Sequence, residues 1–143
     1  MTTNVEVRDR VRGTLESIDD DAIVLHLPHT DYRVRLRLSA PDPALKSRVG
    51  KRVSGTIHGR AMRMHAAAGG GRFIEPMIGE PRIVAGSLRA IDTAKHRVLI
   101  DVGAPMWLET GADQSFDGFA IGGLVTCYVE SGARFEPAEG GGA

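Results

Sequence analysis

The chain has 143 residues, 42% of them hydrophobic, and its 18 Lys and Arg are balanced by 18 Asp and Glu. That length buries one ordinary core or two small ones sharing an interface, and it excludes a string of independent domains. No stretch has the apolar run of a secretory signal or a membrane span, which predicts a soluble, cytoplasmic protein with no membrane partner, and the single cysteine, Cys127, excludes an internal disulfide framework.

Residues 1–10 are polar and charged, with Val5 and Val7 alternating, and read as an edge strand or a lead into the first strand. From Arg10 to Leu27 the pattern is strand, acidic turn, strand. Val11, Gly13 and Leu15 share one face, and the phase then slips before Ile18. The slip predicts a β-bulge, and the glycine predicts a sharp bend of the kind that closes a small barrel. Asp19, Asp20 and Asp21 form the hairpin turn and lack the alternating ligand spacing of a calcium loop. After a turn at residues 28–31, Tyr32 to Leu38 alternate strictly: Tyr32, Val34, Leu36 and Leu38 face a core, and Arg33, Arg35 and Arg37 make a basic stripe on the other side. Residues 39–51, with Pro41 and Pro43, predict a loop with one or two helical turns stopped by Gly50. Val53 to Ile57 is another strand, and His58 to Gly71 read as an extended, mobile hairpin.

The chain then repeats itself. Val11, Gly13, Leu15, Ile18 and Asp19 recur as Val84, Gly86, Leu88, Ile91 and Asp92, and Ile23, Leu25 and Leu27 as Val98, Ile100 and Val102. Val34 and Leu36 correspond to Met106 and Leu108, Val49-Gly50 to Ile121-Gly122, Val53 to Val125 and Ile57 to Val129. Arg72-Phe73-Ile74-Glu75-Pro76 is answered by Arg134-Phe135-Glu136-Pro137, so the 14 residues before Arg72 are an insert in the first copy where the second has four. A period of this length predicts two copies of a small domain. The expected fold is all-β: two tandem Greek-key barrels packed as a pseudo-twofold unit, with residues 1–78 as a basic first copy carrying insert 58–71, 79–137 as an acidic second copy, and 138–143 as a disordered tail. In its short strands, Gly-rich turns and single small helix, each copy resembles the OB-fold.

Residues 1–80 hold 13 Lys and Arg against 10 Asp and Glu, and residues 81–143 hold 5 against 8. The arginine stripe belongs to the basic copy alone, since Trp107 and Glu109 stand where Arg35 and Arg37 would recur. Guanidinium groups two residues apart on a strand lie about 7 Å from each other, close to the spacing of phosphates along a single strand. This predicts a non-enzymatic binding module for an anionic partner, single-stranded nucleic acid foremost, with Arg33, Arg35, Arg37, Arg60 and Arg63 as contacts and His58 and His65 alongside. Trp107 and Tyr32 are the expected base-stacking residues.

Two other readings stand beside this one. Barrel edges and the 58–71 hairpin could join protomers as a homo-oligomer or dock on a protein partner. Arg8-x-x-x-Arg12 and Asp113-x-Ser115-x-x-Gly118 resemble the two motifs of the PilZ family, which implies cyclic di-GMP bound by Arg8, Arg12, Asp113 and Ser115, although about 100 residues separate the motifs here. Catalysis finds no constellation. His26, His29, His58, His65 and His96 lack zinc-type pairing with cysteine, Gly69-Gly70-Gly71-Arg72 lacks the Lys-Ser/Thr of a phosphate loop, and Cys127 reads as a small core residue. No enzyme, cofactor or metal is expected.

Overall fold

The computed structural model describes residues 8–19, 21–67, 69 and 71–138. The lead-in at Val5 and Val7, and the tail beyond Ala138, lie outside these described residues. The elements are β1 (Arg10–Ile18), β2 (Ala22–His26), β3 (Arg33–Leu38), a 3₁₀ helix (Pro43–Arg48), β4 (Arg52–Ala66), β5 (Phe73–Glu75), β6 (Ile78–Gly79), β7 (Ile83–Asp92), β8 (Arg97–Asp101), β9 (Pro105–Glu109), β10 (Leu124–Val129) and β11 (Arg134–Pro137). All eleven strands belong to one mixed sheet, so the fold is all-β.

The centre of the sheet is the 15-residue strand β4 lying antiparallel to β10 and then β11. Val125 stands opposite Ala66, Val129 opposite Ala61, Phe135 opposite Ile57 and Pro137 opposite Gly55. Two more strands join β4: β1 runs antiparallel to its first residues, and β9 runs parallel to Ile57–Arg60. Likewise β7 pairs with β10, and β3 runs parallel to β11. With β2 between β1 and β3, and β8 between β7 and β9, the pairings run in two rings, β1–β2–β3–β11–β4 back to β1 and β7–β8–β9–β4–β10 back to β7. Strand β4 is a member of both.

Segments that align in the sequence make the same bonds. The Gly50 amide donates to the Leu15 carbonyl and the Gly122 amide to the Leu88 carbonyl, each at 2.7 Å. Both glycines have positive φ, 86° and 91°, which explains why glycine recurs there. The expected bulges are present: β1 slips against β2 at Glu16, and β7 slips against β8 at Arg89. Buried side chains from both halves form a single cluster, including Leu15, Leu25, Ile57, Leu88, Met106 and Phe135. Burial of Cys127 within it agrees with the sequence.

Two expectations change. Residues 58–66 are not a hairpin but the continuation of β4, where Gly59, Ala61 and Met64 face the core in succession. Position 58 has a strand partner on each side, Arg134 and Trp107, and residues 61–66 pair with β10, so the segment is held in the sheet. The two Arg-Phe segments also occupy different places. Phe73 in β5 lies opposite Ala85 of β7, half-buried, whereas Phe135 in β11 is fully buried between β3 and β4.

Candidate functional site

On β3 the inward residues Val34 and Leu36 are buried, and alternation turns Arg33, Arg35 and Arg37 outward. Each guanidinium finds a carboxylate of β1 or the turn after it: Arg33 Nε donates to Glu16 Oε1 at 3.0 Å, Arg35 lies 3.5 Å from Asp19, and Arg37 lies 3.5 Å from Asp21. The arginine side chains are 38%, 49% and 60% exposed. Exposed pairs of this kind are worth about 0–1 kcal/mol each, so a stronger acceptor can open them. A polar cavity of about 160 Å³ lies between Arg35, Arg37, Asp21, Ala22 and Glu80. Glu80 itself accepts from the Gly132 amide and the Ser131 hydroxyl, and these bonds, the amide first, hold its carboxyl below the usual range.

The stripe does not stop at the edge of β3. Arg37 is in register with Arg134 of β11, Arg134 with His58 of β4, and His58 with Trp107 of β9. Residues directly opposite in a sheet share a face, so Arg134 extends the basic surface from β3 across β11 to β4, where His58 stands. His58 Nε2 lies 3.2 Å from Glu136. Burial lowers the His58 pKa, with Arg134 and Arg97 adding to the effect and Glu136 opposing it, so the ring is neutral at pH 7.

Further along β4, Arg60 faces out and its Nε lies 3.7 Å from Glu130. The ladder between β4 and β10 then slips: Val129 pairs with Ala61 and Tyr128 with Arg63, leaving Met62 without a partner residue. A bulge re-aims side chains, and here both Met62 and Arg63 are exposed between buried Ala61 and Met64. Among the described residues Arg63 makes no ion pair. The His65 ring stands edge-on to Tyr128, centroids 6.4 Å apart.

The aromatic expectation is corrected. Trp107 is only 6% exposed, its Nε1–H donates to Asp9 Oδ2 at 2.8 Å, and the Arg97 guanidinium lies 3.9 Å over the ring. It therefore has no open face for a base. Tyr32 is half-buried against the core. The exposed aromatic on the basic face is Tyr128, at 44%. The alternation of buried Val125, Cys127 and Val129 around it was the signal in the sequence.

The other candidates make no direct contact with one another. Arg8 and Arg12 lie before and in β1, Asp113 and Ser115 in the loop between β9 and β10, and among the described residues no hydrogen bond or ion pair joins the two pairs. No group of three or more His, Cys, Asp or Glu among the described residues could hold a metal ion. A cleft of about 590 Å³ lies between the 3₁₀ helix and the end of β11, and three of its polar side chains bond locally: Ser39 Oγ donates to the Phe135 carbonyl, Asp42 accepts from the Ala44 amide, and Ser47 Oγ donates to the Ala44 carbonyl. No helix among the described residues is long and apolar enough to cross a membrane.

Compared with known proteins, the chain matches no family model, no curated protein and no solved structure.

Proposed function

We propose that the chain is a non-enzymatic binding module for single-stranded nucleic acid, built from two duplicated OB-like barrels, the first completed by β11 of the second half and the second by β4 of the first half. Support for the architecture comes from the two five-strand rings, from the parallel pairs β3–β11 and β9–β4 that fall at corresponding places in them, and from the matching bonds at Leu15 and Leu88. OB-folds bind oligonucleotides on the face of their second and third strands, and in the first ring that face carries Arg33, Arg35 and Arg37.

The observation that carries the reading is the in-register row Arg37–Arg134–His58, which joins the β3 stripe to Arg60 and Arg63 on β4. Phosphate oxygens compete well for guanidinium groups because the pairing is bidentate and charge-assisted. The carboxylates that pair with the stripe, Glu16, Asp19 and Asp21, give way to phosphate, so binding is an exchange of ion partners and weakens with salt.

Fluorescence anisotropy with labelled single-stranded DNA and RNA at two salt concentrations tests this. The expected result is salt-sensitive binding that the combined Arg33, Arg35 and Arg37→Ala variant loses. Flat titrations with both nucleic acids overturn it.

A further inference from the structure

Resting on that reading, we propose that Tyr128, with Arg63, His65 and Met62, is a stacking site for one unpaired nucleobase on the outer face of β4 and β10. Backbone tracking by arginine alone uses only the phosphates, and single-strand binders add aromatic faces on which bases stack. On this chain the exposed aromatic stands beside the bulge that turns two consecutive β4 residues outward. Arg63 is the register partner of Tyr128, and no carboxylate among the described residues neutralises it. His65 braces one side of the tyrosine in an edge-on contact. Met62, 56% exposed, supplies a polarizable apolar flank. Cation, aromatic ring and apolar flank together fit the two parts of a nucleotide: the phosphate on Arg63 and the base on Tyr128.

The site lies along β4 beyond His58 and Arg60, so a strand following the basic face reaches it after leaving the row at Arg37 and Arg134. Tyr128 thus adds a base contact open to any nucleobase, while the β3 stripe attracts the phosphates alone.

The test compares an oligothymidylate with an abasic oligonucleotide of the same length, titrated against the wild-type chain, Tyr128→Ala, Tyr128→Phe and Arg63→Ala. Tyr128→Ala is expected to weaken oligothymidylate binding at least about fivefold and to leave abasic binding unchanged. Tyr128→Phe keeps the wild-type affinity, and Arg63→Ala weakens both ligands. The side chain is exposed, so thermal melts of the variants should match the wild type. If the wild type binds the two oligonucleotides equally, or Tyr128→Ala binds oligothymidylate as the wild type does, the stacking site is overturned while backbone binding stands. If the wild type binds neither, the nucleic-acid reading falls and the stacking site with it.

Discussion

Gly55 and Phe135 stand against each other across β4 and β11: a Cβ built at Gly55 would lie 2.5 Å from Cζ of the Phe135 ring and would also collide with the Glu136 carbonyl oxygen. Glycine at 55 is therefore a packing requirement of the last strand, set by a residue 80 positions away in the sequence. Gly55→Ala is expected to destabilise the chain by about 1–3 kcal/mol, because neither a buried ring nor a backbone carbonyl can move aside cheaply. Urea unfolding should show a lowered midpoint with the slope unchanged. A midpoint equal to the wild type would mean that the ring of Phe135 does not occupy this place.

The two Arg-Phe segments read alike in the sequence, yet only Phe135 is fully enclosed. Phe135→Ala should cost about 3–5 kcal/mol, as for a buried phenylalanine in a packed core. Phe73→Ala should cost clearly less, since Phe73 is half-buried on a three-residue strand. Equal losses in parallel denaturation curves would restore the equivalence of the two segments and contradict the assignment of β11 to the first ring.

His58 gives a pH dependence of known sign. Its pKa is lowered in the folded chain, chiefly by burial, so the unfolded chain binds the proton first as pH falls. Stability tied to His58 is complete above the unfolded value of about 6.5 and declines as pH drops below it towards the folded value. His58→Gln should remove that part of the decline. Urea midpoints from pH 7.5 to pH 5.5 check this: the wild type should lose more stability than the variant, and superimposable pH profiles would contradict it.

Cys127 is fully buried, and desolvation pushes its thiol pKa up to about 12. The native thiol should resist a maleimide at pH 7.5 and react promptly in denaturant, because the thiolate is the reactive form. Rapid labelling of the folded chain would show that β10 opens far more easily than its place between β4 and β7 suggests.

Much of the sheet was legible in the sequence, for reasons particular residues make clear. Alternation over Arg33–Leu38 and the phase slips at Glu16 and Arg89 are local events, so one strand's residues suffice to reveal them. Strand β4 was not legible beyond Ile57. Its inward residues there are Gly59 and Ala61, too small to announce a core, and the bulge at Met62–Arg63 breaks the period of two. The arginines of the stripe were legible, but their carboxylates were not, since Glu16, Asp19 and Asp21 meet them only after β1, β2 and β3 fold together. Trp107 misled because Arg35, with which it aligns, is exposed on β3, whereas Asp9 and Arg97 close over the tryptophan on β9.

The most direct test of the central claim is an amide chemical-shift map of the ¹⁵N-labelled chain titrated with a single-stranded oligonucleotide at low salt. Our account predicts perturbed amides at Arg33–Leu38, at Arg134 and from His58 to His65 on β4, with little change in the 3₁₀ helix over Pro43–Arg48. Perturbations confined to that helix and the cleft beside it, or no perturbation at all, would contradict the claim that the outer basic face of β3, β11 and β4 is where this protein binds.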